Sequence, residues 1–269
     1  MMETTRALKE RYDAYLFDID GTLLMGDDPL PGAVEMLTRL ARHGVPFAVV
    51  SNNATHAPAE YAQRLRRSGV EIADEAVVTS LVATVEWLAG RDLVVYPIAP
   101  RPLVDALARA GVEMSEDPRR IDVVVASYDR EFSYAKLQVA FDALWFYKRA
   151  FLIATNPDVY CPYPGGRGEP DCAAIVAAIE RSTGVKCRRW FGKPDPAMVR
   201  AALAHLDVDS SRVLMVGDRL TTDIACARAA GIDSALVLTG DSTPRDIERL
   251  GIAPTWVIED VGALAGAFD

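Results

Sequence analysis

The sequence predicts an α/β fold in which a parallel sheet is covered by helices on both faces. Three observations carry that reading. Apolar, β-rich runs alternate with amphipathic helical patterns almost from end to end. The strand runs are continuously apolar, as strands buried on both faces must be. Glycines also follow several helical stretches, where a C-terminal cap calls for left-handed backbone.

In chain order, the expected strands are Ala14–Phe17, Pro46–Val50, Leu93–Ile98, Ile121–Ala126, Phe151–Ala154, Arg212–Val216 and Ala235–Leu238. Helical spacing falls between them. Ala33–Arg42 opens after Pro31 and closes before Gly44, and Ala59–Arg67 closes before Gly69. Pro102–Ala110, Ala173–Arg181 and Thr222–Ala230 precede Gly111, Gly184 and Gly231, while Tyr134–Tyr147 and Pro196–His205 rest on periodicity alone. Cys161–Pro170 is rich in proline and glycine and reads as a long functional or mobile loop.

A chain of 269 residues, half of them hydrophobic, suits one large domain or two modest ones. Its 29 basic and 38 acidic side chains leave a net charge of −9, which argues against a nucleic-acid partner. An anionic substrate would have to be drawn in by local cations or amides, against the global field. No apolar run approaches the roughly 20 residues of a membrane span. Met1–Asp13 lacks an apolar leader core, and Cys161, Cys172, Cys187 and Cys226 form no CxxC pair. A cytoplasmic protein with unpaired thiols is expected.

Four motifs carry chemistry. In YLFDIDGTLL an apolar strand ends in Asp18, with Asp20 two residues on and therefore pointing the same way. Two carboxylates so close repel unless a cation lies between them or one is protonated, and a hard ion such as Mg2+ suits all-oxygen ligands. In FAVVSNN a strand ends in the hydroxyl of Ser51 and the amides of Asn52 and Asn53, a small anion cradle. FGKPDP places Lys193 in a turn before a helix. RVLMVGDRLTTDI runs a strand into Asp218, with Asp223 at a helix start, where it reads either as a cap or as part of the site. Together these groups suit phosphoryl transfer, with cations neutralising the phosphate and amides holding its oxygens.

The order DxDGT, Ser, Lys, GDxxxTD resembles the haloacid dehalogenase (HAD) superfamily, over essentially the whole chain. The resemblance implies a Rossmann-like parallel-sheet core of three α/β/α layers, residues 1–85 and 186–269. The wide spacing from Asn53 to Lys193 resembles the insertion of a type-2 (C2) α/β cap, residues 86–185, acting as a substrate lid. IATNPD at Ile153–Asp158 is similar to the NagD and 4-nitrophenylphosphatase branch, and PDCAAIVAAIE at Pro170–Glu180 to AraL-like sugar phosphatases.

Carried over position by position, the family roles make Asp18 the nucleophile and Asp20 the general acid and base. Asp18, the Asp20 main-chain carbonyl and Asp218 are then the Mg2+ ligands. Ser51, Asn52, Asn53 and Lys193 hold phosphate, and Asp223 orients Lys193 or a metal-bound water, or simply caps its helix. Asp158 reads equally as a substrate contact beneath the cap or as a turn residue. Arg167 reads as a solvated loop charge or a contact to substrate. His56 stands where many relatives carry arginine. Trp145, Phe146 and Tyr147 read as cap core or as the face of a cap-mediated dimer.

The implied function is a Mg2+-dependent phosphatase of small monoesters, sugar and polyol phosphates first, acting as a monomer or a cap-mediated homodimer. Nucleotide monophosphates, phosphoglycolate and pyridoxal phosphate are the alternative substrates. A phospho-accepting signalling module without turnover is the rival of another class.

Overall fold

The computed structural model describes residues 11–163, 165, 167–208 and 212–268. Its strands are β1 (Ala14–Phe17), β2 (Leu24–Met25), β3 (Asp28–Pro29), β4 (Phe47–Ser51), β5 (Val77–Thr79), β6 (Val95–Ile98) and β7 (Val123–Ala126), followed by β8 (Phe151–Ala154), β9 (Tyr160–Tyr163), β10 (Arg167–Pro170), β11 (Cys187–Trp190), β12 (Val213–Gly217), β13 (Asp233–Val237) and β14 (Trp256–Ile258). Six of them form one sheet in the order β14-β13-β12-β1-β4-β5, with every pairing parallel. Four form a second parallel sheet, β11-β8-β7-β6, inserted between β5 and β12.

Alternation along β1 shows why its sequence is apolar throughout. Tyr15 and Phe17 pack with Met36, Leu37, Leu40 and Tyr61, from the helices Ala33–Arg42 and Pro58–Arg67. Ala14 and Leu16 point to the other face, among Met198, Val199 and Ala202 of the helix Ala197–Leu206. In β12, Leu214 and Val216 join the first cluster and Val213 and Met215 the second. The inserted sheet repeats the plan. Tyr96, Val124 and Leu152 face the helices Tyr134–Phe141 and Cys172–Thr183, whereas Val95, Val123 and Ile153 pack with Leu81, Leu103 and Leu107.

Several elements differ from expectation, each for a local reason. β5 and β14 are only three residues long, too short to show periodicity. β11 reads Cys-Arg-Arg-Trp, an edge strand with both arginines exposed, so no apolar run announces it. It pairs with β8 and carries the second sheet to Trp190, past the expected return near residue 185. The expected loop at Cys161–Pro170 is mostly a hairpin, β9 antiparallel to β10. Helices Ser80–Leu88 and Pro244–Leu250 complete the layers. Trp145, Phe146 and Tyr147 are not cap core: they are 49, 64 and 43% exposed, beyond the end of the helix Tyr134–Phe141. Among the described residues no helix is long and apolar enough to cross a membrane.

Candidate active site

Adjacent parallel strands end side by side, and that brings the first, second and fourth motifs together. Asp18 follows β1 and donates its N–H to Val216 of β12, which runs into Asp218, while Ser51 closes β4 on the other side. This is the carboxyl edge of the sheet, where open α/β folds bind ligands.

Lys193 enters this edge from the chain that returns from the second sheet. It is 2% exposed, and a buried ammonium must be paired. Its Nζ donates to Asp18 Oδ1 at 2.5 Å and to the Val50 carbonyl at 2.8 Å, and forms an ion pair with Asp223 Oδ1 at 2.6 Å. Burial works against the charge, but Asp18 and Asp223 outweigh it and hold the ammonium pKa above its ordinary value. Asn52 clamps the lysine main chain, accepting from its N–H at 2.6 Å and donating to its carbonyl at 3.0 Å. The Asn52 side chain thereby places Lys193 while also lining the cleft.

Asp18, Asp218 and Asp223 gather with one carboxylate oxygen from each within 4.8 Å of the others, all buried. Burial pushes the Asp18 carboxyl up against the pull of Lys193, and Asp223 and Asp218 add to the rise. Burial and the Asp223 charge raise Asp218 to about 7. Three carboxylates against one ammonium leave an excess of negative charge, and an all-oxygen donor set suits a hard divalent cation. The cluster is also held tightly from behind. Asp241 N–H donates to Asp218 Oδ2 at 2.7 Å, and Arg219 N–H to Asp223 Oδ2 at 3.0 Å. A Cβ at Gly240 would stand 1.9 Å from Asp218 Oδ2, and one at Gly217 2.3 Å from Asp223 Cβ, so both positions require glycine for close approach.

Asp20 lies beside this cluster, its side chain turned to Asn53, whose Nδ2 donates to Asp20 Oδ2 at 3.3 Å. Burial raises the Asp20 carboxyl above its ordinary value. The third carboxylate of the cluster is therefore Asp223 rather than the Asp20 side chain. Ser51 Oγ accepts from Asn53 N–H at 3.1 Å, which bends the loop so that Ser51, Asn52 and Asn53 all line the same cleft.

From the cap, Asp158, Tyr160, Cys161, Pro162 and Asp171 close over the cleft. Asp158 Oδ1 pairs with Arg219 Nη1 at 2.9 Å, and Arg219 Nε lies 3.5 Å from Asp241. Tyr160 hydroxyl donates to Asp241, and the Arg219 guanidinium stands 5.3 Å from the Tyr160 ring centroid. Asn156 ties the cap to the core by donating to the Asn52 carbonyl at 2.9 Å. Sequence reasoning missed Arg219, Asp171, Asp241 and Tyr160. Arg219 alone had a signal, its place inside the GDR run. Arg167 is exposed on β10, and His56 pairs with Glu60 at 2.8 Å; neither lines the cleft.

This geometry has close relatives. A profile of haloacid dehalogenase-like hydrolases matches residues 15–113, and a HAD-hydrolase-like profile matches residues 190–264. An acid sugar phosphatase of Staphylococcus aureus is 36% identical over 254 residues, covering 94% of this chain and 96% of the relative. The chain belongs to the haloacid dehalogenase superfamily. Among solved structures, a 4-nitrophenylphosphatase from Thermotoga maritima superposes with a TM-score of 0.87 at 36% identity, over 96% of this chain and 98% of that one. NagD from Escherichia coli K-12 gives 0.81 at 30% identity, over 93% and 97%. A glycerol phosphate phosphatase from Mycobacterium tuberculosis, in complex with calcium, gives 0.82 at 32%, over 94% and 74%. The protein is a HAD phosphatase of the NagD and 4-nitrophenylphosphatase kind, with the parallel core and inserted cap of that group.

Proposed function

We propose that the protein is a Mg2+-dependent phosphatase of small phosphate monoesters, sugar and polyol phosphates first, acting through an aspartyl phosphate on Asp18. The observation that carries this is the buried contact of Lys193 with Asp18 and Asp223, beside Asp218 and with Asp20 alongside. Asp18, Asp218 and the Asp20 main-chain carbonyl are the proposed Mg2+ ligands, with Asp223 in reach of the same site. When bound, the ion offsets carboxylate repulsion and draws charge from the phosphate oxygens.

The chemistry of the chain's own residues follows. An Asp18 oxygen attacks phosphorus in line, the ester P–O bond breaks, and Asp20 gives its proton to the departing alkoxide. The raised Asp20 carboxyl suits that donor role. Asp20, now a carboxylate, takes a proton from water as the water oxygen attacks phosphorus. The acyl phosphate breaks, freeing inorganic phosphate and the Asp18 carboxylate. Lys193, Ser51 and the main chain of Asn52 and Asn53 hold the phosphate, and Asp223 steadies Lys193.

The acid sugar phosphatase and the glycerol phosphate phosphatase among the relatives support small hydroxylated substrates over nucleotides or pyridoxal phosphate. A cleft roofed by the cap also suits small esters. Pairing through the exposed Trp145, Phe146 and Tyr147 face would give a cap-mediated dimer. The test is phosphate release from sugar, polyol and nucleotide monophosphates with Mg2+ or EDTA, for wild type and Asp18→Asn. Metal-dependent turnover lost in the variant is expected. A single phosphorylation without turnover would favour the signalling module.

A further inference from the structure

The half of the cleft that receives the leaving group contains more negative charge than it neutralises. Asp158 and Asp171 both line it and are 9 and 3% exposed. Their backbones are locked together: Asp171 N–H donates to the Val159 carbonyl and Ala173 N–H to the Asp158 carbonyl, each at 3.0 Å. The neighbouring cation is Arg219, which already faces both Asp158 and Asp241. Lys193 lies at the phosphate end, paired with Asp18 and Asp223.

Asp171 is the less expected member. Its Oδ1 accepts from Cys172 N–H at 2.5 Å, capping the helix Cys172–Thr183, and from Asn156 Nδ2 at 3.3 Å. Its Oδ2 has no hydrogen-bond partner among the described residues, although the side chain is almost wholly buried and borders the cleft. That oxygen borders the cleft as an open acceptor, to which a ligand can bring a donor. A hydroxyl supplies that donor. A second anionic group supplies none and, once Asp158 and Asp171 are ionised, adds like-charge repulsion in a desolvated cleft.

We infer that Asp171, together with Asp158, is a specificity-determining residue that selects phosphate esters whose leaving group carries hydroxyl donors and rejects those bearing a second negative charge. The inference rests on the phosphatase reading above and narrows its substrate class. Polyol and sugar monophosphates are accepted; phosphoglycolate and bisphosphates are excluded.

Glycerol phosphate and phosphoglycolate form a test pair of similar size that differ in whether the leaving group bears hydroxyls or a carboxylate. Steady-state kinetics with Mg2+ at pH 8, where Asp171 is ionised, should give wild-type kcat/KM for glycerol phosphate at least about tenfold above that for phosphoglycolate, the low end of what like charges brought together cost. Asp171→Asn keeps a side chain that caps a helix well. It should remove most of that ratio, chiefly by lowering KM for phosphoglycolate and raising it for glycerol phosphate. Equal efficiencies in the wild type, a preference for phosphoglycolate, or a variant that shifts both esters alike would overturn the inference. The wild-type comparison stands even if the variant folds poorly. Hydrolysis of 4-nitrophenyl phosphate separates the two levels. Turnover of that ester with no discrimination within the pair sinks this inference alone, whereas no turnover of any ester sinks the phosphatase reading with it.

Discussion

Lys193 Nζ sits 2.5 Å from Asp18 Oδ1, across 175 residues of chain, and both groups are buried. The contact joins the first strand end of the core to the segment returning from the cap. It also neutralises the carboxylate proposed to attack phosphorus until a cation and substrate arrive.

Removing that ammonium strands Asp18 and Asp223 as buried like charges. Lys193→Met should abolish turnover and, in metal-free buffer, lower stability by about 3–5 kcal/mol, the usual effect of breaking a buried pair. Thermal or urea unfolding checks this. A variant as stable as wild type would mean the pair has no structural weight.

Mg2+ should raise Tm, by an amount that corresponds to about 2.7 kcal/mol once the ion reaches a hundred times its Kd. Asp218→Asn should lose that response yet unfold no earlier than wild type in EDTA, since it removes one of three crowded charges. Gly240→Ala should behave as a metal-binding defect, because its Cβ would displace the Asp218 carboxylate. Melts with and without Mg2+ distinguish the two effects.

The pH dependence of stability carries the mark of Asp171, raised from 3.8 to about 7 by burial and by Asp158. Between those values the folded state holds a proton that the unfolded chain has released. Stability from this group is therefore greatest below pH 3.8 and is lost as pH rises through 7, at a slope of about 1.4 kcal/mol per pH unit across that window. Asp171→Asn should cancel that decline. The gap in Tm between variant and wild type, measured from pH 5 to 8 in EDTA, should widen in favour of the variant.

Arg219 pairs with Asp158 of the cap and, more distantly, with Asp241 of the core. The cleft beneath offers about 40 Å3, room for about three waters at ~10–15 Å3 each, so cap and core are expected to part when an ester enters. Arg219→Met leaves two carboxylates facing each other across that gap. A larger radius of gyration in solution scattering and faster amide exchange in the β9–β10 hairpin are expected, with KM raised. Unchanged scattering and exchange would argue against a latch.

The legible part of this protein lies in local pattern. Apolar runs with alternating burial on both faces announced β1, β4, β7, β8 and β12, and the carboxylates and hydroxyl at their ends stood out because a strand leads directly into each. The edge elements escaped for opposite reasons, β5 and β14 by brevity and β11 by its exposed arginines.

The sequence by itself determined the class of fold, the family and the presence of Asp18, Asp20, Ser51, Lys193, Asp218 and Asp223. Only the tertiary structure decided how they divide the work. It set Asp223 rather than the Asp20 side chain among the clustered carboxylates, turned Asn52 to the Lys193 backbone, and brought Asp171 and Arg219 to the cleft. Such contacts join residues far apart in the chain. Their partners are chosen by which strand ends and loops meet in space, and no local periodicity records that choice.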